Sequence, residues 1–220
     1  LLLKHKYYVI ICITYIMTQL YASVIGIGTY YAKYILGNEE LFSDLSLAIN
    51  ITMVVSLIAL PIVIQKMGGM YKLNIFGYFV AIIGRLGVLT AAYLGSFPMM
   101  LVFTAVGTLG VAPLQGDMNA LIASCSEHTF LTKKIRIDGT MYSCSSFGIK
   151  VGGSIGTAIC GWLMAAAGFV ENAAVQSAST INMLHVMYLW LPMAFNVVVV
   201  LILSRLNVEK ANEKLMNAKN

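Results

Sequence analysis

Charge is what this chain has least of. Asp, Glu, Lys and Arg together make up 10% of its 220 residues, against 59% hydrophobic, and the mean hydropathy is +0.83. Soluble domains carry about 25% charged residues. That balance excludes a water-soluble fold and makes the chain an integral membrane protein. Cysteine is scarce too. Cys12, Cys125, Cys144 and Cys160 have no metal-ligand or redox spacing, and three fall inside apolar runs, as buried free thiols do. The three histidines are equally scattered, so no metal site is assigned. No nucleophile–base pair stands at a shared depth, so an enzyme is not expected. The net charge of +5 reports membrane topology and implies no nucleic-acid partner.

What is present is a series of long apolar runs. About 20 apolar residues cross the hydrocarbon, and six runs qualify: 7–31, 45–65, 73–95, 98–124, 139–168 and 183–203. The first is too long, and its flank too lacking in a cleavage site, for a secretory signal. The segment 169–182 is polar enough to read as an exposed outer loop. Basic residues sort to one side of the six spans. Lys4 and Lys6 precede span one; Lys66 and Lys72 lie between spans two and three. Lys133, Lys134 and Arg136 lie between four and five, and Arg205, Lys210, Lys214 and Lys219 follow span six. The other side has only Lys33, accompanied by Glu39, Glu40 and Asp44. The positive-inside rule then puts both termini in the cytoplasm, as for a multi-pass protein of the cell (inner) membrane.

The chain starts with Leu and enters its first span almost at once, so it is expected to be part of a longer polypeptide. Six spans with both ends inside suit half of a transporter built from inverted three-helix repeats. The repeats would cover 1–97 and 98–204, with 205–220 as a cytoplasmic tail. The alternative is a self-contained six-span protein, either a homodimeric half-transporter or a non-transporting membrane sensor.

Three charges remain inside the spans. Counted from the cytoplasmic ends at about 1.5 Å per residue, Arg85 lies about 18 Å deep, Lys150 about 17 Å and Asp117 about 10 Å. Charges at such depths face a bundle interior or a wet cavity, and transporters place their sites near the midplane. Ser143, Ser146, Ser154 and Thr157 fall within about 40° of Lys150 on a helix. Gly148, Gly152 and Gly156 form a small-residue series on the opposing face, where another helix can approach. Arg85 shares a face with Tyr78 and Asn74; structural pairing and a substrate role are equally compatible with that. On span four, Thr104, Thr108, Gln115 and Asn119 share a face, whereas Asp117 points about 200° from Gln115. Pro113 and Gly116 are where a bend is expected. Asp117 either pairs with Lys150 or Arg85, the slightly favoured reading, or carries a coupling proton. Tyr15, Gln19 and Ser23 form an i, i+4, i+8 row on span one that reads as cavity lining.

The string RIDGTMYSCSSFGIKVGGSIGTAICGWLMAAAGFVENAAVQS resembles the helix-eleven region of the glycoside–pentoside–hexuronide cation symporters, the melibiose-permease-like branch of the major facilitator superfamily. The likeness rests on Arg136, Asp138, Tyr142, Lys150, the glycine-rich helix, Gly168, Asn172 and Gln176–Ser177. It implies an all-α twelve-helix fold of which these spans are helices seven to twelve. It also implies transport of a small-molecule sugar or glycoside with Na+, Li+ or H+. On this resemblance Lys150 lines the central cavity, Ser145 and Ser146 face the sugar, and Arg136 and Asp138 belong to a cytoplasmic gate. Lys150, Ser146 and Gln115 are then expected to hydrogen-bond sugar hydroxyls. Ahead of Arg136 the family often has an Asp, an acid or amide three residues on, and then Tyr. Here Ser124, Glu127 and His128 stand there, so only Glu127 fits the pattern and the gating contacts differ. Gln115 stands where some members stack an aromatic ring on the sugar, implying a changed substrate. The acids that bind the coupling cation in this family lie in the amino-terminal six-helix half, which is therefore an expected partner.

Overall fold

A computed structural model describes residues 5–218; Lys4 and Lys219, two of the flanking basic residues, lie outside them. The described chain is all-helical. Six segments are long and apolar enough to cross a membrane. The first comprises α1 (Lys6–Ile25), a short α2 (Gly28–Tyr31) and a π turn (Ala32–Leu36). The next four are α3 (Leu41–Met67), α4 (Met70–Tyr93), α5 (Phe97–Lys133) and α6 (Asp138–Ala166). The sixth comprises α7 (Ala178–His185), a second π turn (Val186–Trp190) and α8 (Leu191–Leu203), and α9 (Val208–Asn217) follows it.

All the spans but α6 are longer than their apolar runs, because helices continue past the hydrocarbon. α5 extends nine residues beyond Ser124, to Lys133, and passes unbroken through Pro113. The expected outer loop 169–182 is shorter than its polarity suggested. Ala178 already begins α7, capped by the Ser177 hydroxyl accepting from Thr180 N–H. Gln176 is buried and clamps the loop by bonding both backbone groups of Val170. Polar side chains that satisfy backbone groups can be buried, which composition alone does not reveal.

Glycines set the closest helix contacts. Gly77 and Gly84 of α4 lie directly against Gly110 and Gly107 of α5, while Gly148, Gly152 and Gly156 of α6 lie against α1. Water supplies no hydrophobic drive between helices inside a membrane, so close backbone approach at small residues provides the packing. Both pairs cross the 97/98 boundary, so the two triplets interleave instead of forming separate bodies. Two buried clusters fill the bundle. One, at the end carrying His5 and α9, includes Ile11, Leu121, Ile122 and Leu203. The other, at the opposite end, includes Val24, Leu45, Met100 and Leu184.

α9 is locked to the first of these ends. The Glu209 carboxylate accepts from the N–H groups of Met70 (3.1 Å) and Tyr71 (2.8 Å), capping α4 where four donors are otherwise orphaned. Asn212 Nδ2 donates to the Ser124 carbonyl of α5 at 2.8 Å.

Candidate functional site

α6 has the two faces that its spacing predicts. Gly148, Gly152 and Gly156 are buried, while Ser143, Ser146, Lys150, Ser154 and Thr157 are exposed on the other side. The reason is steric. A Cβ at Gly152 would sit 2.6 Å from the Ile16 carbonyl oxygen and 2.8 Å from Gln19 Cβ. With no Cβ there, α6 lies against α1 and holds its polar stripe outward. Lys150 forms no ion pair among the described residues. Ser146 is likewise exposed, whereas the half-buried Ser145 donates its hydroxyl proton to the Tyr142 carbonyl at 2.8 Å, leaving it an acceptor toward a ligand.

The Tyr15–Gln19–Ser23 row packs into the α1–α6 seam, where Gln19 and Ser23 remain half-buried. Its side chains fill the space that the glycines leave. Tyr15 is buried, and its hydroxyl donates to Asn119 Oδ1 at 3.2 Å. Tyr142 donates to the Asn119 backbone carbonyl at 3.3 Å. Asn119 therefore ties α1, α5 and α6 together at one level. In antiparallel helices rising about 1.5 Å per residue, that level sets Gln115 beside Ser146, about one turn short of Lys150. Gln115 is exposed. Tyr142 entered the sequence reading only as part of a resemblance; its tie to Asn119 depends on the register between two helices, which has no local signal.

The polar face of α5 divides along its length. Gln115 and Asn119 are exposed, but Thr104 and Thr108 are buried. Helical angle fixes which residues share a face, whereas the neighbours that cover it change over so long a helix. Asp117 lies on the other side, as its angle requires, and is 2% exposed. It pairs with neither Lys150 nor Arg85. Both of its oxygens accept from Asn74 Nδ2 of α4, at 3.0 and 2.8 Å. Arg85 is also buried, and its guanidinium donates through Nε (3.1 Å) and Nη2 to the Tyr21 hydroxyl. The expected ion pair fails because Asn74 lies three helical turns from Arg85 on α4, and each finds a neutral partner at its own level.

At the end carrying α9, Asp138 opens α6 and closes the α5–α6 turn. Its Oδ1 accepts from the Ser126 hydroxyl, and Oδ2 lies 3.9 Å from Arg136 Nη1. The Arg136 guanidinium also lies over the Phe130 ring, at 4.5 Å. Glu127 is half-buried and forms no ion pair among the described residues. His5 caps α1, with Nδ1 accepting from Tyr8 N–H at 3.4 Å. Its Nε2 faces His128 Nδ1 at 3.3 Å and the Thr129 hydroxyl at 3.1 Å. No cluster of three or more metal-binding side chains occurs among the described residues. The arrangement offers hydrogen-bond donors and acceptors on an open helix face, which suits reversible binding of a polyhydroxylated solute.

The sequence profile of the family described as MFS/sugar transport protein matches residues 1–210. The chain is similar to an isoprimeverose transporter of Lactiplantibacillus pentosus, with 28% identity over 166 residues, 76% of this chain and 34% of that protein. It is also similar to a glucuronide carrier protein homolog of Escherichia coli K12, with 30% identity over 145 residues, 65% of this chain and 31% of that protein. The matched stretch thus spans about a third of each relative's length. With six membrane-crossing helices, a lysine-centred polar stripe and a profile match along nearly its whole length, the chain belongs to the sugar-transport family of the major facilitator superfamily, in its glycoside–pentoside–hexuronide branch.

Proposed function

We propose that this chain is the carboxy-terminal six-helix half of a sugar:cation symporter that works by alternating access. The observation that carries the reading is the stripe of Ser143, Ser146, Lys150, Ser154 and Thr157, exposed along a membrane-crossing helix whose opposite face is packed. Serine, threonine and lysine side chains inside a membrane are costly on a lipid-facing surface and belong against water or a polar solute. Lys150, Ser146 and Gln115 hydrogen-bond the hydroxyls of a glycoside, with Ser145 contributing an acceptor.

The packing supports an inverted repeat. Exchanging spans 1 and 4, 2 and 5, and 3 and 6 sends the contact of spans 1 and 5 onto that of spans 4 and 2. It sends the contact of spans 3 and 4 onto that of 6 and 1, and returns that of 3 and 6 to itself; all five occur. The two spans least covered within this chain are α3 and α6, and they are partners under the exchange. Their open sides are where an amino-terminal six-helix half docks, and the sugar site lies between the halves. That half binds most of the coupling cation, Na+, Li+ or H+. The basic end, bearing Lys6, Lys66, Lys72, Lys133, Lys134 and Arg136, faces the cytoplasm of a cell membrane.

Uptake of labelled glycosides by cells expressing the intact protein tests this reading. Lys150→Ala is expected to abolish accumulation while leaving the protein folded and in the membrane. Wild-type uptake by that variant would sink the site assignment.

A further inference from the structure

Asp117 has an environment that the sugar site does not use. Its side chain is 2% exposed, Asn74 is also 2% exposed, and the Nδ2 of Asn74 is the donor to both carboxylate oxygens. Asn74 Oδ1 is meanwhile buried with no hydrogen-bond partner among the described residues. The Asp117 carboxyl therefore sits beside an orphaned amide oxygen, with one donor group, Asn74 Nδ2, serving both of its oxygens.

Among the described residues no cation is paired with Asp117. The ion pairs among the described residues are Lys33–Glu39 and Arg136–Asp138. On α4, Tyr78 is an electrostatic neighbour and Arg85 is bonded to Tyr21. On α9 the neighbour is Glu209, itself an acid. The titratable groups of α3, Asp44 and Lys66, stand at its two ends, and α8 has none. On α6, Lys150 is exposed on the polar stripe. On α1, Tyr15 is bonded to Asn119, and His5 contacts His128 and Thr129 farther along α5. A buried carboxylate without a cation is neutralised instead of being kept charged.

One proton resolves both deficiencies. A carboxylic acid and a primary amide pair through a ring of two hydrogen bonds. The acid O–H donates to the amide oxygen, and the amide N–H donates to the acid carbonyl. A modest rotation of the Asn74 amide converts the present double contact into that ring and gives Oδ1 its missing donor. A metal ion fits less well, because it needs several oxygen ligands and both carboxylate oxygens already face an N–H.

We propose that Asp117 and Asn74 form a proton-binding site in this chain, in which Asp117 is held as a carboxylic acid by Asn74. Exchange occurs toward the α9 end. There a cavity of about 10 Å³, the scale of a single water, is bordered by Tyr71, Asn74, Leu121, Leu203 and Leu206. On release the O–H bond of Asp117 breaks, its electron pair stays on the carboxylate, and the proton passes to water at that end. Asn74 then turns both oxygens onto Nδ2, the geometry seen here. The proposal rests on the membrane location of the chain, and sugar transport is not needed for it.

The test is infrared spectroscopy of the intact protein reconstituted in lipid, in H2O and D2O, following the carbonyl stretch of protonated carboxylic acids. A band from one carboxyl is expected at neutral pH, and it should vanish in Asp117→Asn, whose side chain has the same shape. In Asn74→Ala the band should remain but shift to the position of a more weakly hydrogen-bonded acid. Absence of the band at neutral pH overturns the proposal, as does its survival in Asp117→Asn. A band that Na+ titrates away at fixed pH overturns it in favour of a metal-ion site. Because uptake is not the readout, failure here is distinct from failure of the transport reading.

Discussion

Gly152→Ala, compared with Gly153→Ala one residue later, measures how tightly the polar stripe is braced. An added Cβ at 152 would lie 2.6 Å from the Ile16 carbonyl oxygen, 2.8 Å from Gln19 Cβ and 3.0 Å from Ile16 Cα. A comfortable carbon–oxygen approach is about 3.3 Å or more, so α6 must retreat by about 0.7 Å. Two of the three atoms are backbone, which no rotamer change can move aside. Overpacking of this kind costs about 1–3 kcal/mol. At Gly153 nothing lies within 4 Å of the same added atom. Both substitutions gain the helix propensity of alanine over glycine, about 1 kcal/mol. The difference between them therefore isolates the clash. Thermal unfolding in detergent can be followed with a thiol-reactive fluorophore, because Cys125, Cys144 and Cys160 are buried when folded. Gly152→Ala is expected to melt roughly 2–12 °C below Gly153→Ala, with weaker glycoside uptake as Lys150 is displaced. Equal melting, or a higher midpoint for Gly152→Ala, would refute the seam as the element that positions α6.

Two further outcomes follow from the contacts at the end carrying α9. Glu209→Ala removes the acceptor for two N–H groups at the start of α4, so a loss of about 0.5–2 kcal/mol is expected in the same melt; an unchanged midpoint would show that α9 does not cap α4. His5 is held below the usual histidine range by burial, with His128 and Lys133 adding cationic repulsion. Below about pH 6.5 the unfolded chain takes up a proton that the folded chain resists, so stability is expected to fall as pH drops below that value. His5→Asn keeps an N-cap acceptor without the titration and should flatten that slope. An identical pH profile would exclude His5 as its source.

The two faces of α6 were legible because their signals are local. Lys150 and its serines are four or seven residues apart, and the glycines every four, so both faces of α6 follow from helical geometry alone. The partners of Asp117 and Arg85 were not legible. Pairing by charge suggested that they meet, but Asn74 is 43 residues from Asp117 in sequence and Tyr21 is 64 from Arg85. Nothing local marks either partner. The Tyr15–Gln19–Ser23 row shows the same limit. Its polarity was visible, but whether it met water or glycines depended on which helix lay opposite.

By itself, then, the sequence determined the membrane location, the number of spans, the basic end and the angular faces of each helix. These are properties of hydropathy, charge and a 3.6-residue period, and each is settled within one segment. The tertiary structure decided which faces are covered, that Asp117 meets an amide and not a cation, and that α9 caps α4. Those outcomes depend on how six rods are arranged and at what register. That arrangement is set by the close approach of backbones at Gly77, Gly84, Gly107, Gly110 and Gly152, where the spacing can mark a face but nothing local says which helix will meet it.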